Sequence, residues 1–364
     1  MPNPELSCLP AQPGPPAPGH RPRAGAADAR AGAGDPLTGY LHTHAGEFLR
    51  GLRQHGESGA DTTAAAGAAR SLRRTARRIA GTLHTFRPLL DPVWADGLRA
   101  ELSWLSGTLA QEHACTERLD RLLTALSRLS GTENTPDGDR TAQGPRGSGG
   151  RARAGSGTGH GQLTLGAARA AALLERQLTL ARSRAHSTTL QALGSARFHA
   201  VADAVAVLAS ELPLVPAAGP LHPAAESAQR RLLDAADALP LGRAGHAYTA
   251  DALLSGPTGA PAEETQDAPW HRVRSLLRLH RYALEVLGPG ADPALGRAGL
   301  LLDRHRDAAE AAATAASAAR TPRIAPATAY VLGVLHADQR HEVEAARFAF
   351  QEVWQNSTTV RAGA

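Results

Sequence analysis

Residues 69–90 place an apolar seam and a stripe of arginine on opposite sides of one predicted helix. At about 100° per residue, the seam consists of Leu72, Ala76, Ile79, Leu83, Phe86 and Leu90. The opposite side carries Arg70, Arg73, Arg74, Arg77 and Arg78. Like charges at this spacing repel by a few tenths of a kcal/mol per pair, to order of magnitude, and no acidic residue lies between Arg70 and Leu90. The stripe must therefore face either solvent or an anionic partner.

A second stretch, residues 271–287, repeats this arrangement. Its polar stripe consists of His271, Arg274, Arg278 and Arg281. The opposite, apolar face consists of Leu276, Leu279, Ala283 and Leu287, widened by Val273, Leu277 and Leu284. One such stripe is typical of the solvated face of a helix bundle. Two stripes in the two halves of one chain favour a shared basic site.

The basic residues are all arginine, because the 39 lysines and arginines include no lysine. This usage is typical of a GC-rich bacterial genome, and it excludes a P-loop lysine, a kinase lysine and a Schiff-base lysine. The net charge is +5 and the isoelectric point is about 9.9. Guanidinium groups bind oxyanions in a bidentate manner, so the composition favours an anionic partner.

Other classes of site find little support. Cys8 and Cys115 are the only thiols, too few for a zinc cluster. The histidine spacings, such as His336 with His341, do not place two rings on one helical face. No nucleophile elbow or paired-carboxylate motif stands out. We therefore predict a protein that is not an enzyme and holds no metal or cofactor. The absence of a signal peptide and of a long apolar run predicts a cytoplasmic chain without membrane contact.

The Ala, Leu and Arg bias predicts an all-α fold. Residues 1–36 are rich in Pro, Gly and Ala, and residues 131–161 in Gly, Ser and Thr, so both are predicted to be disordered. An Asp35-Pro36 cap predicts the first helix start. Further helices are predicted over residues 61–87, 92–110, 114–129, 163–192, 195–210, 222–239, 244–254, 268–287, 293–319 and 326–355. Residues 37–240 and 242–355 would form two pseudo-repeated bundles, and 356–364 a C-terminal tail.

Both basic helices resemble the signature helix of the CHAD family (conserved histidine α-helical domain), which reads His-x-x-Arg followed by paired basic residues. His271, Arg274, Arg278, Arg281 and Tyr282 match this pattern in the second helix. The first keeps Arg73, Arg77 and Arg78 but has Arg70 at the histidine position. Leu302–Asp307, which contains His305, and Tyr330–His336 are similar to later segments of the family. The resemblance spans residues 37–355.

The resemblance implies a non-catalytic domain that holds inorganic polyphosphate in a basic cavity between its two bundles. The residues expected to bind it are Arg70, Arg73, Arg74, Arg77, Arg78, His271, Arg274, Arg278, Arg281 and His305. His113-Ala114 stands where the family tends to have Arg-Asp, and Ser275 replaces a base. These departures keep open a degenerate scaffold that binds no ligand. A nucleic-acid-binding protein is the other alternative, although 4% aromatic content provides few stacking platforms.

Overall fold

The structure of the protein, a computed structural model, describes residues 24–58, 61–130, 157–216, 219–241, 263–288, 290 and 292–362. These residues form α1 (Ala24–Glu57), α2 (Thr62–Thr85), a 3-10 turn (Arg87–Leu89), α3 (Pro92–Leu129), α4 (Gly157–Leu193), α5 (Ala196–Leu208), α6 (His222–Asp237), α7 (Glu263–Leu287), α8 (Pro293–Ala319) and α9 (Pro326–Ala362). In this part of the chain the only β-type pairing is an isolated bridge between Leu90 and Leu214. The predicted all-α fold is confirmed.

Aspartate caps begin three of the helices. The Asp61 carboxylate accepts hydrogen bonds from the backbone amides of Thr63 and Ala64 at the start of α2. Asp91 and Asp292 each cap a helix whose first residue is proline. Proline fits there because its missing N–H would have had no partner within the helix. The start of the third helix at Asp91-Pro92 is therefore as predicted.

Two predicted helix boundaries are wrong. Residues 92–110 and 114–129 form one helix, α3, without a break. Its apolar spacing changes near residue 110 because its first half packs in one core through Leu102 and Leu105, whereas Leu122 and Leu126 pack in another. The first helix begins at Ala24, and Pro36 lies within it, exposed to solvent.

The predicted disorder is tested only in part. Residues 1–23 and 131–156, and the predicted helix 244–254, lie outside the described residues. The backbone is already helical from Ala24 and from Gly157. The structured region therefore extends into both segments that composition assigned to disorder.

Three main cores hold the helices together. The first contains the predicted seam of α2, all of which is buried, together with residues of α1, α3 and α5. The second joins the end of α6 to α7, α8 and α9 around Trp270. The third joins α4 and the end of α3 to α8 and α9. The cores therefore combine residues from both sides of the predicted division at residues 240–242.

None of the helices within the described ranges is both long enough and apolar enough to span a bilayer.

Candidate anion-binding site

The seam between α2 and α7 brings the two basic stripes together. A Cβ atom built on Gly81 would lie 2.7 Å from the Tyr282 ring and 3.2 Å from the Leu279 side chain. The two helices therefore approach closely at this glycine. The positive charges of Arg77 and Arg278, one turn before this contact, act on each other, and those of Arg73 and Arg274 do so two turns before it. These pairs follow the same order along both helices, so the two helices run in the same direction along the seam.

We use the name arginine cluster for five residues from α2, α7 and α8 that interact electrostatically with one another: Arg73, Arg77, Arg274, Arg278 and Arg306. All five are partly buried. Among the described residues, Arg73, Arg77 and Arg278 have no ion-pair partner, and the buried Nε atom of Arg73 has no hydrogen-bond partner. The cluster therefore contains uncompensated positive charge.

The pKa values of the cluster reflect this charge. Burial, followed by the positive charges of Arg77 and Arg274, lowers the pKa of Arg278 from its ordinary value to about 10. Burial and the neighbouring arginines also lower the pKa of Arg73. Burial and the repulsion between arginines both disfavour the charged form in the free protein. A bound anion would oppose the repulsion directly.

Acidic residues lie at the α8 side of the cluster. Asp303 accepts a hydrogen bond from Arg274. Arg306 contacts Asp307, and its Nε atom lies 3.7 Å from Glu310. Burial opposes the charge of Arg306, but these acids raise its pKa overall. Compensation is therefore concentrated on α8, and the α2–α7 side retains the free charge.

The structure divides the predicted stripe on α2. Arg73 and Arg77 lie in the cluster, whereas Arg70 is exposed and Arg74 lines a cleft beside α1. Arg78 pairs with Glu285 and lies 3.4 Å from the Tyr40 hydroxyl. Burial opposes the charge of Arg78, but Glu285 and Tyr40 raise its pKa above the ordinary value.

The predicted stripe on α7 is also divided. Arg274 and Arg278 belong to the cluster. The Nη1 atom of Arg281 lies 3.3 Å from the position of a Cβ atom on Gly299, so its guanidinium packs against α8. His271 is half-buried, and burial lowers its pKa. It lies near Arg274 and Arg306, at the edge of the cluster.

His305 belongs to a buried polar network in the second core. Its side chain is 1% exposed and its Nε2 atom accepts a hydrogen bond of 3.2 Å from Arg347. Its ring stacks on Trp270 and meets the His271 ring edge-on at a centroid distance of 5.6 Å. Burial lowers its pKa. His305 therefore contacts His271 at the edge of the cluster, and its own side chain is not exposed to solvent.

Asp267 is the acid of this network. It pairs with Arg347 at 2.6 Å and with Arg340 at 2.8 Å. Burial would raise the pKa of Asp267, but its interactions with His305 and Arg340 hold it well below its ordinary value. Within the part of the chain that the structure describes, no group of three or more metal-ligating side chains is present.

Sequence reasoning did not select Arg306 or Asp267. Arg306 lies in the family-like segment Leu302–Asp307, one residue after His305, so the motif itself marked it. Asp267 lies one turn before His271 on α7, where an acid four residues ahead of a histidine was a usable signal. Its arginine partners lie on α9 and could not be inferred from spacing.

Comparisons with known proteins agree with this architecture. The family model for the CHAD domain matches residues 43–298. The fold is similar to the solved structure of PptA from Streptomyces chartreusis, with a TM-score of 0.71 and 57% sequence identity. That similarity covers 89% of this chain and 99% of the other. No match was found among curated proteins. Because the family model covers more than half of the sequence, this chain belongs to the CHAD domain family.

Proposed function

We propose that the protein binds inorganic polyphosphate, without catalysing a reaction on it, through the arginine cluster. The observation that carries this proposal is that the charges of Arg73 and Arg77 on α2 repel those of Arg274 and Arg278 on α7, and that Arg73, Arg77 and Arg278 form no ion pair among the described residues. The repulsion between these charges destabilises the free protein, and a bound anion would reduce it. Polyphosphate supplies a row of negative charges that matches a row of guanidinium groups along parallel helices.

Direct contacts are assigned by charge compensation. Arg73, Arg77 and Arg278 are the primary ligands, because none of their guanidinium groups forms an ion pair with a carboxylate among the described residues. Arg274 is a weaker ligand because Asp303 already accepts its hydrogen bond. His271 lies at the edge of the cluster, where it can donate a hydrogen bond to a phosphate oxygen. Arg70, which is exposed at the end of the same stripe, extends the path of the chain.

A salt titration with long-chain polyphosphate tests the proposal. Wild-type protein is compared with the Arg77→Ala/Arg278→Ala double variant by fluorescence anisotropy of end-labelled polyphosphate. Each phosphate contact that is lost removes one released counterion, so the slope of log affinity against log salt should fall by about two. The affinity at low salt should fall with it.

The matched control is Arg272→Ala/Arg304→Ala. Both residues are exposed, lie on α7 and α8, and form no ion pair within the described residues, so this variant has the same loss of charge outside the cluster. An equal effect of the two double variants would show non-specific attraction and contradict the proposal. Wild-type protein that does not bind polyphosphate at low salt would support the degenerate scaffold. Tighter binding of single-stranded DNA or RNA than of polyphosphate would support the nucleic-acid alternative.

A further inference from the structure

A cleft of about 480 Å³ lies between α1 and α2, and none of its lining residues belongs to the arginine cluster. We call it the α1–α2 cleft. Its donor groups come from His44, Arg50, Gln54, Ser71, Arg74 and Arg78. Cavities that bind small molecules measure about 300–1,000 Å³. The α1–α2 cleft therefore has the volume of a small-molecule site and walls that consist mainly of hydrogen-bond donors.

Two arginines on its opposite walls are unpaired. Arg50 on α1 and Arg74 on α2 are both exposed, and neither forms an ion pair within the described residues. The two helices approach closely at the base of the cleft, because a Cβ atom on Gly51 would lie 3.4 Å from the Leu72 side chain. The Nη1 atom of Arg50 lies 3.6 Å from the Cβ position of Gly46, so its guanidinium folds back along the α1 wall.

The acid in the cleft is already engaged. Glu47 lies 2.8 Å from the Nδ1 atom of His44, the preceding turn of the same helix. His44 is held in turn by an edge contact with the Tyr40 ring at 4.3 Å. The unpaired arginines therefore face an acid that has its own partner, and the site retains net positive charge.

Arg78 also lines the cleft, in an environment unlike that of the arginine cluster. Its pKa is raised by Glu285 and Tyr40, which outweigh its burial, whereas burial and neighbouring arginines lower the pKa of Arg278. The guanidinium of Arg78 also lies 5.5 Å from the centroid of the Tyr282 ring. A paired and packed arginine of this kind is a fixed donor that does not need to be ordered on binding.

We propose that the α1–α2 cleft is a second anion site, separate from the arginine cluster, that binds one compact phosphate group. Arg50 and Arg74 would hold it from opposite walls, with Ser71 and Gln54 donating hydrogen bonds to its remaining oxygens. The group recognised is a terminal phosphate carrying two charges, supplied either by a short inorganic phosphate or by a phosphorylated small molecule. Its lining differs from that of the arginine cluster, because Arg78 is already paired with Glu285 and the two free arginines come from different helices.

Isothermal titration with pyrophosphate, orthophosphate and a phosphorylated sugar tests this site and distinguishes inorganic from organic sources. Titrations are made in the Arg77→Ala/Arg278→Ala background, in which the cluster is weakened. Pyrophosphate should bind there with a stoichiometry of about one per chain. Adding Arg50→Ala and Arg74→Ala should weaken binding by about tenfold or more, since two charge-assisted hydrogen bonds are lost. Ser71→Glu, which adds a carboxylate to the wall, should have a similar effect.

The reciprocal measurement separates this proposal from the polyphosphate proposal. In otherwise wild-type protein, Arg50→Ala alone, at a residue outside the set expected to bind polyphosphate, should leave the salt slope for long-chain polyphosphate unchanged. The second site is excluded if pyrophosphate binds the cleft variant as tightly as its parent. It is also excluded if the cluster variant alone removes all pyrophosphate binding, because the cluster would then be the only phosphate site.

Discussion

Replacing Arg278 with methionine should stabilise the free protein while weakening its binding of polyphosphate. Methionine retains an unbranched apolar side chain, so the packing of the arginine stem is largely conserved. The guanidinium itself is disfavoured by burial and by the charges of Arg77 and Arg274, which lower the pKa of Arg278 to about 10. Removing the charge removes both penalties.

The size of the effect follows from linkage. A base whose pKa falls from its ordinary range to about 10 on folding destabilises the fold by about 3 kcal/mol at neutral pH. Partial exposure and loss of stem contacts reduce this figure, so we expect a net gain of about 1 kcal/mol. The penalty is complete below pH 10 and is relieved as the pH rises above about 10, because Arg278 then deprotonates in the folded state. The gain should therefore be constant near neutral pH.

Chemical denaturation at pH 7, with and without long-chain polyphosphate, measures both effects. Without ligand, Arg278→Met should raise the denaturation midpoint relative to wild type. With ligand, wild type should gain more stability than the variant, because ligand that binds only the folded state stabilises it in proportion to affinity. The exposed Arg272→Met, on the same helix, should change the free energy of unfolding by less than about 0.5 kcal/mol. A destabilised Arg278→Met protein would refute the argument, since it would mean that the Arg278 charge is compensated.

Two further predictions concern the frame that holds the cluster. Asp267→Asn should destabilise the protein by about 3–5 kcal/mol, because Arg340 and the buried Arg347 lose their carboxylate partner. The depressed pKa of Asp267 stabilises the wild-type fold, and this contribution is lost as the pH falls below about 4. In urea titrations, the variant should therefore lose less stability than wild type over that pH range. Gly81→Ala should destabilise by about 1–3 kcal/mol, since its Cβ atom would lie 2.7 Å from the Tyr282 ring. Gly67→Ala, on the same helix with nothing within 4 Å, should stabilise by about 0.5–1 kcal/mol; equal effects at the two glycines would contradict the close approach of α2 and α7.

The sequence was sufficient to predict the α2 helix and its buried seam, because helical periodicity is a local property. Leu72, Ile79 and Phe86 repeat at helical spacing, and all three are buried. The apolar face of α7 was predicted less well. Trp270, Val273 and Leu277 are buried, whereas Leu276 and Leu279 are only half-buried. The helix packs against α6, α8, α2 and α1 at once, and no single stripe describes a helix with neighbours on several sides.

The division of the arginine stripe could not be predicted, because it depends on residues far away in sequence. Arg77 and Arg78 are adjacent and equivalent on a helical net. The charge of Arg77 acts on Arg278, whereas Arg78 forms an ion pair with Glu285. The two α7 residues lie two turns apart. Which arginine receives the carboxylate is decided by the rotation of α2 against α7. That rotation is fixed by the contact at Gly81, which has no distinctive sequence pattern.

Under the proposed function, the paired and unpaired arginines act together to make a binding surface. The unpaired members, Arg73, Arg77 and Arg278, repel one another and would separate if their helices were free to move. The pair of Arg78 with Glu285 opposes this separation, because it joins α2 to α7 next to the cluster. Asp303, which accepts a hydrogen bond from Arg274, joins α7 to α8 in the same way. The acids therefore hold the helices in place and leave selected arginines for a ligand, so the position of each carboxylate should determine affinity more than the total number of basic residues does.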